Sequence, residues 1–385
     1  MLYTIASEIG VMKIQENVSL APLTTLQVGG PARYFAELKR EDEVREAAQF
    51  AKSRGLPLFV LGGGSNVLVA DSGWPGLALK IAIGGIATPN AQHATGNAVL
   101  FSVGAGVNWD DFVAQAVAQN CAGVECLSGI PGSVGATPVQ NVGAYGQEVA
   151  DTIESVRALD LKEDRIVVLP KPACGFRYRS SIFNGAERGR YIILRVNYRL
   201  QRGGAARLQY ADLQKYFAEH SSKKVAKKTP LPSLAETRAA VLEIRQRKGM
   251  LIVPSNARRE DDSPEDDSRS AGSFFKNPVL GEAQFQELSK RAASQGLEVP
   301  NYPALRTQPQ DTQRKISAAW LVEHSGFSRG YTLGPARISS KHALALINTG
   351  QASAADMVRL QELIQEKVEG TWGIRLDPEP VFVGF

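Results

Sequence analysis

An apolar stretch, Pro57 to Leu61, runs without a break into "GGGSN": Gly62, Gly63, Gly64, Ser65 and Asn66. A short apolar run closed by a glycine cluster reads as a strand ending in a loop. Three glycines in that loop let backbone N–H groups come close to phosphate oxygens with no Cβ in the way. Upstream, "ARYFAEL" reads as a strand, and Val44, Ala47, Ala48 and Ala51 fall on one face of a helix. The segment is therefore βαβ-like. A second glycine-rich stretch, "LSGIPGSVGATPVQNVGAYGQ", repeats the feature with Gly129, Gly132 and Gly135. No dinucleotide fingerprint is present: "GGGSN" lacks the G-x-G-x-x-G spacing, and a further candidate, "GAGVNW" at 104–109, has a tryptophan at the third glycine. A Rossmann domain is disfavoured. Either loop alone is explained as well by a structural turn, but two in one α/β region point towards a phosphate-bearing ligand.

The remaining periodicities fill in an α+β chain. Strands at "LALKIAI" and "VLFSVGAG" precede a helix with Trp109, Phe112, Val113 and Ala116 aligned. Ile192, Leu194, Val196, Tyr198 and Leu200 alternate as in a strand with one covered face. After Tyr210 the chain turns polar, and Ser233 with Glu236 three residues on marks the start of a helix and a domain junction. The last segment carries helices around "KISAAWLVEH" and through Met357, Leu360, Ile364 and Val368, with "HALALIN" between them and "GIRLDPEPVFVGF" at the end. A chain of 385 residues holds two or three domains, and this last one is a smaller α+β domain.

Composition narrows the function classes. Apolar residues at 43% and charged ones at 22% suit a globular protein. No apolar run approaches the roughly 20 residues that span a bilayer, and the first residues lack a basic region followed by a long apolar core. The expectation is a cytoplasmic protein with no membrane partner; composition carries no reading of oligomeric state, for which a monomer is the default expectation. A net charge of +5, without a basic stripe, suits polyanionic small molecules rather than nucleic acid. The one basic cluster, Lys223, Lys224, Lys227 and Lys228, reads as a solvated turn. Three cysteines, Cys121, Cys126 and Cys174, suggest buried free thiols rather than disulfides or zinc. Residues 254–270 hold Asp261, Asp262, Glu265, Asp266 and Asp267 without the spacing of a calcium loop, so they read as a mobile acidic loop and no metal site is expected.

The ordered blocks "LGGGSNVLV", "SGIPGSVGATPVQNVGAYG", "FRYRSSIF", "AGSFFKNP", "KHALALIN" and "LDPEPVF" resemble the bacterial UDP-N-acetylenolpyruvoylglucosamine reductases. The resemblance runs from about "SLAPLTTLQVGGPARYF" to the C-terminus. It implies an FAD-binding region of the vanillyl-alcohol-oxidase (PCMH) type in two parts, 13–80 and 81–232. A connecting helix at 233–253 and a substrate-binding domain at 271–385, whose last strand returns to the active site, complete the expected layout. Residues 1–12 resemble an extension ahead of a family start at Met12.

By the same resemblance, FAD is held by Gly62, Gly63, Gly64, Ser65 and Asn66. The second loop adds Gly129, Pro131, Gly132, Ser133 and Gly135, with Gln140, Asn141, Gly143 and Tyr145. No His or Cys lies in or beside "GGGSN", so a noncovalent flavin is expected. NADPH is the implied co-substrate and UDP-N-acetylglucosamine-enolpyruvate the implied substrate. Three residues match the family's catalytic positions: Arg179 as a bidentate fork on the substrate carboxylate, Glu379 near that carboxylate, and Ser273 as proton donor to carbon. Substrate contacts are expected from Tyr210, in the form of the family whose tyrosine loop closes over the nucleotide sugar, and from Lys248, Asn277, Tyr302 and Arg329. His342 reads as a structural or supporting group rather than an acid. Arg177 stands where the family commonly has glycine, two residues before Arg179.

Overall fold

The computed structural model describes residues 2–7, 10–89, 96–220, 231–252, 266–303 and 313–385. The basic cluster at 223–228, and Asp261, Asp262 and Glu265 of the acidic stretch, lie outside them. The chain divides into two compact units. The first comprises Met1–Val18, Ala32–Gly64 and Pro75–Arg247; the second comprises Ser19–Pro31, Ser65–Trp74 and Lys248–Phe385.

Two sheets organise the first unit. One has the order Leu2–Ser7, Gly10–Ser19, Pro31–Leu38, Trp74–Ile81, Leu58–Leu61. Its last pair is parallel, as expected when a crossover joins the strands. Helix Glu41–Ser53 buries Val44, Ala47, Ala48 and Ala51, the face its sequence marks. The other sheet centres on the long strand Tyr191–Arg202, which pairs antiparallel with both Ile153–Asp160 and Ala98–Gly104. Ile192, Leu194, Val196, Tyr198 and Leu200 are all at most 1% exposed, so the alternating residues form one buried face. Helix Trp109–Ala118 packs Trp109 and Phe112 against Tyr198, whose hydroxyl meets Thr137 Oγ1 at 2.8 Å. Helix Leu234–Arg247 begins at the expected capping box, where the Glu236 carboxylate accepts from the Ser233 amide at 2.7 Å. It packs Ala240, Val241 and Ile244 with Cys126, Tyr145 and Leu213, so it is part of the first unit's core. The three cysteines are buried free thiols; burial pushes Cys126 up to about 12 and Cys174 up to about 11.

The second unit has a four-stranded sheet in the order Ser270–Ser273, Ala345–Asn348, Ala336–Ile338, Thr332–Leu333. Helix Ala354–Trp372 buries Met357, Leu360, Ile364 and Val368, as their spacing predicts. The stretch expected to be helical around "KISAAWLVEH" divides instead. Arg314–Ile316 is a strand, and helix Ala318–Glu323 starts after Ser317, whose hydroxyl accepts from the Trp320 amide. Residues 266–270, read as the end of a mobile loop, are built in: Asp267 is 4% exposed and accepts from the hydroxyls of Ser339 and Ser340.

Residues 19–31 and 65–74 join this unit through contacts across about 300 positions of sequence. The Asp71 carboxylate accepts from Ala354 N and Ala355 N at the start of the long helix. Asn348 donates its side-chain amide to Leu26 O at 3.0 Å, and Thr25 Oγ1 donates to Ser270 O at 2.6 Å. Val67–Val69 pairs parallel with Val381–Val383, so the C-terminal strand docks beside the residues that follow the triple glycine.

Candidate active site

In the first unit the two glycine-rich loops press on each other. A Cβ on Gly62 would lie 2.6 Å from Ser133 Oγ, and one on Gly63 would lie 2.5 Å from Gly132 Cα. Both are closer than real carbon atoms approach. Gly63 thus admits the opposite loop's backbone, and Gly62 admits the Ser133 hydroxyl. Gly135 has the same constraint against Ala105, with a Cβ separation of 2.5 Å.

The second loop is strapped at both ends. Gly129, at φ +69°, donates its amide to Asp110 Oδ1 at 2.6 Å and accepts from Arg245 Nε at 3.1 Å. Asp110 in turn takes two hydrogen bonds from the Arg238 guanidinium, at 2.6 and 2.7 Å. Burial works against the Asp110 carboxylate, yet Arg238 and the Gly129 amide outweigh it and hold the group below its usual range. Burial lowers Arg245, with Tyr145 opposing that shift. Gly132 O accepts from the Trp109 amide at 3.0 Å, tying the loop to the start of helix Trp109–Ala118.

Residues 140–145 lead to Arg179. Asn141 is 1% exposed and turned inward: its amide nitrogen donates to Glu148 and to Arg177 O, and its oxygen accepts from Ala150 N. It therefore fastens the turn before Arg179 rather than presenting a side chain outward. Arg179 sits at φ +52°, a left-handed conformation uncommon for a residue with a side chain. Its Nη2 donates to Gly143 O at 2.8 Å. A Cβ on Gly143 would lie 2.8 Å from Glu148 Cγ and 2.9 Å from Gln147 O, so this glycine chiefly admits the neighbouring strand Gln147–Glu148, with Arg179 Nη1 farther off at 3.3 Å. Arg177 is exposed, and its backbone pairs with Ser180 across the turn that holds Arg179. Tyr145 is 7% exposed, and Tyr210, 43% exposed, meets its ring edge-on at 5.4 Å.

In the second unit Ser273 and Glu379 come together through the backbone. The Glu379 amide donates to Phe274 O at 2.8 Å, the Lys276 amide donates to Asp377 O at 2.9 Å, and Phe275 bridges Pro378. Asn66 donates to Glu379 O at 3.2 Å and accepts from Val381 N at 2.9 Å. Phe274 and Phe275, 0% and 2% exposed, anchor this crossing in the core. Strand Ser270–Ser273 has a bulge: Ser270 pairs with Ile347 and Ser273 with Ala345, leaving one residue extra. Gly272 lies in it at φ +72°, and a Cβ there would meet nothing within 4 Å, so its backbone angle alone asks for glycine. Such bulges re-aim a side chain; here Ser273 Oγ lies 3.0 Å from His342 Nε2.

The expected substrate contacts are placed unevenly. Lys248 is half-buried just past helix Leu234–Arg247. Asn277 Oδ1 accepts from Ala318 N at 2.9 Å, capping a helix, which leaves its amide nitrogen as the group suited to a ligand. Arg329 is exposed and paired with Glu323 at 3.2 Å. Tyr302 contributes backbone to strand Asn301–Pro303, and its side chain lies outside the described residues. Sequence pattern leaves Asp110, Arg238 and Arg245 unmarked as site residues and places Asp267 in a mobile acidic loop. Arg245 alone carried a signal: it shares the buried face of its helix with Val241 and Ile244, where an unpaired charge is costly.

Comparison with known proteins agrees with these two halves. A family model described as an FAD binding domain matches residues 32–169. One described as the C-terminal domain of UDP-N-acetylenolpyruvoylglucosamine reductase matches residues 263–383. The class is thus an FAD-dependent oxidoreductase of α+β architecture with a separate C-terminal domain. The UDP-N-acetylenolpyruvoylglucosamine reductase of Thermobifida fusca is 42% identical over 372 residues, 96% of this chain and 97% of that protein. Its counterpart in Streptomyces avermitilis is 41% identical over 97% of this chain and 96% of that one. The crystal structure of the Thermus caldophilus reductase superposes with a TM-score of 0.61 at 25% identity, covering 97% of this chain and 99% of that one. The chain belongs to the UDP-N-acetylenolpyruvoylglucosamine reductase family.

The residues present fit FAD. The opposed loops of the first unit offer backbone and the Ser133 hydroxyl, residues 62–64 and 129–135 carry no acidic side chain of their own, and the Asp110 carboxylate at the Gly129 amide is paired with the Arg238 guanidinium.

Proposed function

We propose that this chain reduces UDP-N-acetylglucosamine-enolpyruvate to UDP-N-acetylmuramate in the making of peptidoglycan precursors, with NADPH as reductant and noncovalent FAD as cofactor. The observation that carries the reading is a match of 42% identity along 96% of the chain to a reductase of that name. The first unit would hold FAD on Gly62–Gly64 and the 129–145 stretch, with Ser65 and Asn66 continuing the loop. The second would supply substrate contacts from Lys248, Asn277, Tyr302 and Arg329. Tyr210 would belong to a loop that closes over the nucleotide sugar; its exposure suits a residue that moves. The enzyme would work in the cytoplasm as a monomer.

When bound, the flavin supplies the hydride that ends on the terminal vinyl carbon; the remaining tasks fall to side chains. Hydride addition pushes electrons into the substrate carboxylate, and Arg179 would receive that charge in a planar two-point contact. Glu379 would orient the same end of the substrate. Ser273 would give its hydroxyl proton to the adjoining carbon. A serine is a poor acid, but a carbanion-like centre is basic enough to take its proton, and positioned acids of this kind contribute on the order of 10² to 10⁴ in rate.

The test is to purify the protein, record its flavin spectrum, reduce it anaerobically and add the enolpyruvyl substrate. The proposal expects reoxidation with UDP-N-acetylmuramate formed. Reoxidation by air alone, with the substrate inert, would identify a flavin oxidase instead; a colourless protein that binds UDP-sugar without turnover would identify a binding protein.

A further inference from the structure

Ser273 has a partner whose chemistry matters to a proton donor. We infer that His342 is the positioning residue that makes Ser273 an acid, by donating Nε2–H to the serine oxygen. The inference rests on the proposed role of Ser273 and extends it. The His342 ring accepts from the Leu344 amide through Nδ1, at 3.5 Å. A neutral imidazole that accepts at one nitrogen carries its proton on the other. On that tautomer the Nε2–H points at Ser273 Oγ, 3.0 Å away.

Two consequences follow for the serine. Its oxygen accepts from the ring, so its own O–H is turned away from His342. As that O–H bond breaks and the new C–H bond forms, the electron pair stays on Oγ, where the ring N–H already points; water then returns a proton to the oxygen. A donor preorganised for charge that develops only in the transition state acts on rate rather than on substrate binding. The reverse arrangement, with His342 as a base, would pull the proton away from the carbon that needs it.

The ring is held in place from an unexpected quarter. Ser339 Oγ accepts from the amides of Lys341 and His342, at 3.0 and 3.1 Å, and donates to Asp267 at 2.8 Å. Ala345, which pairs with Ser273 across the sheet, donates its amide to His342 O at 3.1 Å. The buried aspartate at the end of the acidic stretch thus fixes the turn that carries the histidine, and the glycine bulge brings the serine to it.

The experiment compares His342→Ala, His342→Gln and Ser273→Ala in the two half-reactions, with histidine nitrogen NMR on the wild-type protein as a readout independent of turnover. We expect His342→Ala to reduce with NADPH at the wild-type rate and to react with the enolpyruvyl substrate about 10- to 10²-fold more slowly. His342→Gln, which keeps an N–H donor, should recover part of that loss. The double variant should be no slower than Ser273→Ala alone, since the histidine acts only through the serine. NMR should find the proton of His342 on Nε2. A proton on Nδ1, or a wild-type substrate rate in His342→Ala beside a slow Ser273→Ala, would overturn the inference. A wild-type rate in Ser273→Ala would instead remove the acid role itself.

Discussion

Gly63→Ala places one methyl group at the meeting of the two glycine-rich loops. Its Cβ would stand 2.5 Å from Gly132 Cα, 2.8 Å from Gly132 C and 3.0 Å from Ser133 N. Carbon atoms in contact sit about 3.5 to 4.0 Å apart, so the loops must part by about 1 Å, and the obstructing atoms are backbone that cannot rotate aside. Overpacking of this kind costs about 1 to 3 kcal/mol. If the strain falls on the cofactor site, FAD affinity drops by roughly 5- to 150-fold, since about 1.4 kcal/mol is a factor of ten. The assay is flavin content per protein after purification, then titration of the apoprotein with FAD by fluorescence quenching, with circular dichroism to verify the fold. Gly84→Ala is the control, because a Cβ there meets nothing within 4 Å. A Gly63→Ala protein with wild-type flavin content and affinity would refute the claim that this close approach shapes the cofactor site.

Two further predictions concern charged groups. Arg179→Lys should keep FAD but slow turnover on the enolpyruvyl substrate on the order of 10²-fold, because an ammonium cannot reproduce a planar fork; steady-state kinetics with unchanged kcat/KM would remove the fork. Asp110→Asn should lower the stability of the folded protein by about 2 kcal/mol, between the values for exposed and buried ion pairs. Because the folded state holds the Asp110 carboxyl below its usual range, its contribution is present above about pH 4 and fades as pH falls through the lower folded value. Denaturant titrations of wild type and variant should therefore converge in acid; a constant gap down to pH 2 would contradict the pairing.

Local pattern revealed much of the fold. Period-2 alternation in the strand Tyr191–Arg202 and period-3.6 faces in helices Glu41–Ser53 and Ala354–Trp372 bury the residues they mark, because burial of one face is what such patterns encode. Contacts across long sequence separation were not legible. Nothing near Asp71 says that its carboxylate starts a helix at Ala354, and nothing in "APLTTLQ" predicts that Asn348 will grip Leu26 O. These are pairings of polar groups, which leave no periodic trace.

The candidate site divides the same way. Glycines at 62 and 63 stand out in the sequence as a cluster, but what constrains them is the opposite loop: the Ser133 hydroxyl against Gly62 and the Gly132 backbone against Gly63. The charged neighbours of Asp267 predict a solvated residue, yet two serine hydroxyls and Arg337 satisfy it in the interior. The start of helix Ala318–Glu323 was placed too early, since the apolar spacing of "KISAAWLVEH" does not separate a strand residue from the cap at Ser317.

In the proposed reaction Ser273 gives the proton that completes reduction. Rapid mixing of Ser273→Ala, first with NADPH and then with the enolpyruvyl substrate, tests it most directly. Flavin reduction should stay close to wild type while reoxidation by substrate slows by at least about 10²-fold. Equal slowing of both steps, or reoxidation at the wild-type rate, would contradict it.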